Sequence, residues 1–310
     1  SRAAERVHAT QPGISKQIRL LEDELGLQLF ARKGKSLDHL TEAGADVVRR
    51  ARLIINEATN IRALATNHRN QDAGELRIAS THTQARFVLP GAVAWLRQNY
   101  PEVSVHLLPS DEESLMEMVG RGEVDLSIVS AVEPPPGGVA VPAFRWQRVL
   151  LVPRGHPLTA LKRPLKIADV AEYPLVTYES TLKPESSLRR TFEREGYTPI
   201  LACTAIDADL IKTYVRAGLG VGILAEMAVQ NDDLRDLSLI RIDGLLPAPV
   251  TWILLRRDQV LYNFAMQFVT RVASHVDPRD VKHALDGEAV TWAEPPSWDE
   301  LNAAPRIRIA

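Results

Sequence analysis

The sequence predicts an α/β protein fronted by a small all-α winged module and one long helix. Three observations lead to that expectation. Residues 9–26 read as a single capped, amphipathic helix; residues 47–65 repeat an apolar position every three or four residues without Pro or Gly; and from residue 75 onward short β-rich runs alternate with helical stretches.

A chain of 310 residues is long enough for two or three modules, each with its own core. Apolar content of 45% and charged content of 25% are those of a folded soluble protein. No run approaches the roughly 20 apolar residues that a bilayer span requires, and no secretory leader pattern is legible, so no membrane partner is expected. The single Cys203 cannot form an internal disulfide, which points to a reducing, cytoplasmic setting. The net charge of −2 is unevenly spread: residues 1–70 hold 12 Lys and Arg against 8 Asp and Glu, leaving a basic front end on an acidic body. That asymmetry fits a front end that meets a polyanion.

Thr10 can cap a helix through its hydroxyl, Pro12 suits a first turn where its missing N–H would have no partner, and Gly26 ends the run. The helix therefore covers Gln11–Leu25. Ile14, Ile18, Leu21 and Leu25 make its inner stripe, which leaves Gln11, Ser15, Lys16, Gln17 and Arg19 outside. Ala3, Ala4 and Val7 mark a short helix before it, and two helices joined by a turn of a few residues form a helix-turn-helix. A helix of this kind fits the DNA major groove, where Gln and Arg read base edges while Thr, Ser and N-terminal N–H groups hold phosphates. The segment LQLFARKGKSLDHL then places Arg32, Lys33 and Lys35 around Gly34, a basic hairpin wing for the DNA backbone. Glu22-Asp23-Glu24 reads as a solvated acidic patch at the far end of the helix.

The run AAERVHATQPGISKQIRLLEDELGLQLFARKGKSLDHLTEAG resembles the winged helix-turn-helix of the LysR-type transcriptional regulators. The resemblance implies a regulator that binds double-stranded promoter DNA through Thr10, Gln11, Ser15, Lys16, Gln17, Arg19, Arg32, Lys33 and Lys35. Against the family pattern the chain starts roughly twenty residues late, ~30 Å if helical. The module is expected over residues 1–40 with its first helix missing.

One long helix is expected over residues 41–69. Val47, Ala51, Ile54, Ala58, Ile61 and Ala65 advance by four, three, four, three and four, a heptad seam that calls for a partner helix. A homodimer formed there would present two reading heads to one duplex. The resemblance implies the same linker and dimerisation helix, and assembly up to a homotetramer.

Beyond a polar hinge at residues 70–74, strand-like runs cover 76–79, 103–108, 125–129, 149–152, 175–177, 221–224 and 252–255, with helices over 91–99, 113–121, 186–195, 207–217 and 259–274. The alternation predicts mostly parallel sheets with ligands near the carboxyl ends of strands. Residues 75–145 read as one lobe and 146–240 as a second. Residues 241–275 return to the first, closing an effector domain over 75–278, and 279–310 form a tail. In the resembled family this is a periplasmic-binding-protein-like (type 2) domain.

Polar runs just after strands are the candidate ligand residues: Thr81, His82, Thr83 and Gln84 after the first strand, Ser130 after the third, and the loop from Thr177 to Thr181. The segments THTQARFVLP, YPLVTY and DADLIKTYVRAGLGVGILAEMAV are similar to the CysB/Cbl branch of the family, whose members regulate sulfur assimilation and respond to acetylserine-type inducers and sulfate-like anions. By that resemblance Thr81, Thr83 and Gln84 are effector contacts, Ser130 takes the place of a Thr, and Trp146 matches a cleft Trp. Lys183 stands where the branch has a ligand-contacting Thr, which leaves the identity of the anion open.

Other motifs read as structure. Gly218-Leu219-Gly220-Val221-Gly222 follows a helix and enters a strand, the reverse of a dinucleotide loop, so no cofactor is expected. The eight histidines show no metal-ligand spacing, and His82 has no partnered nucleophile. A solute-binding protein or small-molecule enzyme built on residues 75–275 alone is the competing expectation. It leaves the seam and the basic front end unexplained, and no catalytic constellation accompanies it.

Overall fold

A computed structural model describes residues 10–33 and 36–303. The chain divides into two compact units, residues 1–62 and 63–310.

In the first unit α1 (Gln11–Leu25) is capped as expected: the Thr10 hydroxyl accepts the Gly13 N–H at 3.3 Å, and Gly26 takes the left-handed conformation with φ 66°. A hairpin follows, β1 (Phe30–Lys33) antiparallel to β2 (Ser36–Leu40). The Thr41 hydroxyl donates to Gln28 O at 2.6 Å and accepts the Gly44 N–H at 2.9 Å, which fixes where α2 (Glu42–His68) begins. Only glycine fits at 44, because a Cβ there would lie 1.9 Å from the Leu29 carbonyl oxygen. The short helix expected over residues 3–9 lies outside the described residues, as does Lys35.

Two expectations for this unit change. Of the inner stripe on α1, Ile14 and Ile18 are half-buried, whereas Leu21 and Leu25 are exposed; nothing among the described residues of the unit covers them. The acidic patch is not uniformly solvated. Glu22 is 7% exposed and accepts the N–H groups of Leu29 at 2.9 Å and Phe30 at 3.1 Å on one oxygen, with Arg32 at 2.5 Å on the other. Capture by the Phe30 N–H above all, then by Leu29 and Arg32, holds the carboxyl below its ordinary range. Glu22 thus joins the helix to the hairpin.

The second unit contains two mixed five-stranded sheets. The first lobe has the order β4-β3-β5-β12-β6, from β3 (Ala73–Ser80), β4 (Glu102–Pro109), β5 (Leu126–Ala131), β6 (Val139–Arg145) and β12 (Val250–Leu255). Its helices are α3 (His82–Phe87), α4 (Leu89–Asn99), α5 (Glu112–Gly120) and α9 (Asn263–Val272). Leu76, Ile78, Leu126, Phe264 and Phe268 fill one side of the sheet; Leu115, Val119, Trp252 and Leu254 fill another cluster.

The second lobe has the order β11-β7-β10-β8-β9, from β7 (Arg148–Pro153), β8 (Leu175–Tyr178), β9 (Leu201–Ala205), β10 (Val221–Ala225) and β11 (Leu237–Arg241). It carries α6 (Ile167–Ala171), α7 (Ser187–Arg194) and α8 (Ala208–Arg216). Leu150, Leu175, Phe192 and Ile223 form one core, and Leu151, Val176, Ile211, Val215 and Leu224 the other. At the turn into β10 a Cβ on Gly220 would lie 2.0 Å from the Pro174 carbonyl, so the glycine run is a structural turn. Two further helices close the described chain, α10 (Pro278–Leu285) and α11 (Trp298–Ala303).

The sheets are less parallel than the alternation predicts. β3 is parallel to β4 and β5, and β8 to β9 and β10, but β12 runs antiparallel to β5 and β6, and β7 antiparallel to β10 and β11. The exceptions lie at the crossings between lobes. The chain passes from β6 to β7 through residues 146–147 and back from β11 to β12 through 242–249, without a helix to reverse its direction. The two crossings are bonded to each other, Trp146 N–H to Pro249 O at 3.0 Å.

Candidate functional site

Two surfaces gather the chemistry. On α1, Gln11, Lys16, Gln17 and Arg19 are exposed and Ser15 is half-exposed, beside the exposed Lys33 of the hairpin. Arg32, expected to contact phosphate, spends its guanidinium on Glu22 and so helps to hold the wing. Along α2 the whole seam past Val47 is exposed, with Ile54 at 72% and Ile61 at 59%, and Leu53, Ile55 and Leu64 lie open beside it.

The second surface is the cleft between the lobes. β3 ends in Ser80 and delivers Thr81 to Gln84 into α3, so that Thr83 and Gln84 are buried. The Gln84 amide donates to the hydroxyls of Ser130 at 2.9 Å and Thr251 at 3.1 Å, leaving its Oε1 buried with no partner among the described residues. Thr83 reaches across to the second lobe, donating to the Tyr178 hydroxyl at 3.4 Å, which also accepts the Ala225 N–H at 3.3 Å.

Arg148, at the start of β7, donates to Pro247 O at 2.8 Å and Ser187 Oγ at 3.0 Å and lies 5.8 Å from the Trp146 ring centre. Among the described residues it has no ion-pair partner, and burial lowers its pKa to about 10. Tyr178 and Glu112 act on it only as more distant charges. Trp146 is buried, and its Nε1 likewise has no acceptor among the described residues. Burial pushes the Glu112 carboxyl up, opposed by Lys183 and Arg148. A cation without a counter-charge and a buried indole N–H without an acceptor among the described residues are costly arrangements.

Gln84 and Ser130 are bonded to each other, Thr83 meets Tyr178 and Trp146 lies beside Arg148, while Thr81 lies at the end of β3 that carries Thr83. Thr177 does not join them: its hydroxyl donates to Ile223 O at 2.9 Å, inside the second lobe, because alternate side chains of a strand face opposite ways. Lys183 is not a free cation but pairs with Glu113 at 2.8 Å, bridging the lobes. His82 is exposed and lines a cavity of about 320 Å³ with Thr83, Arg86, Asp207 and Asp209, where Arg86 and Asp209 pair at 2.6 Å across the lobes. Sequence reasoning passed over Arg148, Glu112 and Thr251. The signal for Arg148 was a cation opening the apolar strand RVLLV two residues after the cleft Trp.

A helix with a polar N-terminal end, a basic hairpin and a long helix ahead of a two-lobed α/β cleft define a ligand-responsive DNA-binding regulator. Residues 1–45 match the bacterial regulatory helix-turn-helix family of LysR type, and residues 69–277 match the LysR substrate-binding domain. The chain belongs to the LysR family of transcriptional regulators, not to an enzyme family. It is 35% identical to CysB of Burkholderia cenocepacia (94% of this chain, 93% of that one) and 37% identical to Cbl of Escherichia coli (91% and 89%). SsuR of Burkholderia cenocepacia is 36% identical over 90% of this chain and 91% of its own. Among solved structures, the cofactor-binding domain of Cbl superposes with a TM-score of 0.65 at 33% identity, covering 69% of this chain and 94% of that one. CbnR bound to its target DNA has the same fold, with a TM-score of 0.58 at 23% identity, covering 87% and 92%. No described helix is long and apolar enough to cross a membrane.

Proposed function

We propose that this LysR-family regulator controls sulfur or cysteine metabolism genes from the cytoplasm and responds to a small anion of the sulfate or acetylserine kind held between its lobes. The observation that carries the anionic effector is the half-buried Arg148 guanidinium, without an ion-pair partner among the described residues, 5.8 Å from the ring of Trp146, whose buried Nε1–H has no acceptor among them. An anion there accepts from Arg148 on the second lobe and from Ser130 or Thr83 on the first. Each charge-assisted hydrogen bond contributes about 1.5–3 kcal/mol. A ligand that grips both lobes binds the closed arrangement better than the open one and shifts the population toward it.

At the front end, Gln11, Ser15, Lys16, Gln17 and Arg19 read the major groove and Lys33 contacts the phosphate backbone. The exposed seam of α2 pairs two copies, and pairs of dimers give a tetramer. The relatives named CysB, Cbl and SsuR support the sulfur assignment.

The test is a titration of the full chain on the promoter of a sulfur-assimilation operon, with and without sulfate and acetylserine. The proposal expects DNA binding whose affinity or footprint changes with one of the two, and loss of that change in Arg148→Gln. Binding indifferent to both anions rejects this effector class. A solute-binding role using the lobes alone is not favoured, because the helix-turn-helix match occupies the first 45 residues.

A further inference from the structure

Residues 288–302 have no place in the regulator described so far, yet they are packed rather than trailing. Val290, Trp292, Trp298 and Leu301 lie against the core of the first lobe, with the Trp298 and Phe144 rings 5.3 Å apart. Ser297 forms a parallel bridge with Arg145, whose N–H donates to Pro296 O at 2.8 Å. Arg145 is the last residue before the first crossing between lobes, and the next residue, Trp146, is bonded to Pro249 of the second crossing. The tail therefore lies as a third strand on the hinge, with the first crossing held between it and the second.

One residue further, the tail reaches the other lobe. Asp299 accepts from Arg241 at 2.7 Å, and Arg241 ends β11 where the second crossing departs. Arg241 also lies 3.7 Å from Glu226, which accepts the Gln147 N–H at 2.7 Å on the inner side of the hinge. Glu226 directly follows Ala225, whose N–H holds the Tyr178 hydroxyl in the cleft. A continuous set of contacts thus runs from Trp298 in the first lobe, through Asp299, Arg241 and Glu226, to the hinge and the cleft wall of the second.

We propose that the tail is a brace across the hinge: Trp298 anchors it in the first lobe, Asp299 ties it to Arg241 of the second, and the tie sets how far the lobes open. Asp299 and Arg241 are positioning residues and touch no ligand. Rotation of the second lobe about the two crossings moves Arg241 relative to the tail, so wide opening breaks this pair. The anchor is apolar and holds at any ionic strength, whereas the tie is an exposed ion pair that salt weakens.

The test measures the angle between lobes without effector or DNA, so its failure is distinct from failure of the sulfur reading. Spin labels are placed at the exposed Gln98 and Arg190 on a Cys203→Ser background, and the distance distribution between them is recorded by pulsed dipolar spectroscopy. Asp299→Asn is expected to add a second, longer-distance population, and raised salt to do the same in the parent chain. Asp299→Glu, which keeps a carboxylate for Arg241 and leaves its contacts with Glu226 and Asp243 in place, is expected to keep the single narrow distribution, which general damage to the tail would not allow. A distribution for Asp299→Asn that superposes on the parent overturns the brace, as does a second population in Asp299→Glu equal to that in Asp299→Asn.

Discussion

The two units of this chain treat apolar surface in opposite ways. Residues 63–310 bury clusters within both lobes, from Leu76 and Phe264 to Leu151 and Ile211. In residues 1–62, Leu29 is the buried apolar side chain among the described residues, while Leu20, Leu21, Leu25, Leu27, Ile54 and Ile61 are exposed. The same contrast appears in the polar groups. The first unit buries Glu22 with all of its attractions satisfied, whereas the cleft of the second leaves Arg148, Gln84 and Trp146 short of partners. One unit is completed by another macromolecular surface and the other by a small molecule.

The largest expected effect comes from breaking the seam. Ile54→Lys with Ile61→Lys keeps good helix formers on α2 but removes two apolar contacts from each copy. At about 1.5–3 kcal/mol per buried Ile, a symmetric dimer loses ~6–12 kcal/mol. Sedimentation velocity should find monomers at micromolar concentration, and a dimer that persists would remove the seam from the account.

Arg148→Met sharpens the other half. Sulfate affinity by calorimetry should fall about 10- to 150-fold, the loss of about 1.5–3 kcal/mol from a charge-assisted bond. The melting temperature should hold or rise, because the variant removes a desolvated cation. A lower melting temperature with unchanged sulfate affinity would make Arg148 structural.

Glu22→Gln tests the join in the first unit. The Leu29 and Phe30 amides should exchange several-fold faster, with amides of the lobes unaffected. The sign with pH follows from a carboxyl held below its ordinary 4.5: the stabilisation is complete above that pH and is lost as pH falls through the lowered value. Acid should therefore loosen the hairpin while Glu22→Gln is comparatively insensitive.

The smallest effects belong to single DNA contacts. Lys33→Ala should lower the salt slope of binding by about 0.9 on any duplex, whereas Gln17→Ala should cost about 1–3 kcal/mol of preference for the operator. Equal losses on operator and random DNA in both variants would count against the two roles.

The elements with strong local signals were legible in the sequence. Thr10, Pro12 and Gly26 bounded α1 to the residue, because caps act within one turn. The seam announced α2 through its spacing, and the polar run after β3 held Thr83 and Gln84, whose side chains are buried. What escaped depends on contacts distant in sequence. Glu22 looked like solvent-facing acid because its partners, Leu29, Phe30 and Arg32, come from the following hairpin. Four residues are too few to phase the alternation of β8, so the sequence does not separate Thr177, which faces Ile223, from its neighbour Tyr178 in the cleft. The strand Val139–Arg145 carries Pro142, a residue that weakens any strand reading, and its pairing with β12 depends on a segment more than a hundred residues later.

The central claim is that two copies, joined along α2, present two reading helices to one duplex. Saturating a labelled duplex with the full chain at low ionic strength and weighing the complex by analytical ultracentrifugation tests it directly. The account predicts two or four chains per duplex. One chain per duplex at saturation, or no complex at all, would contradict it.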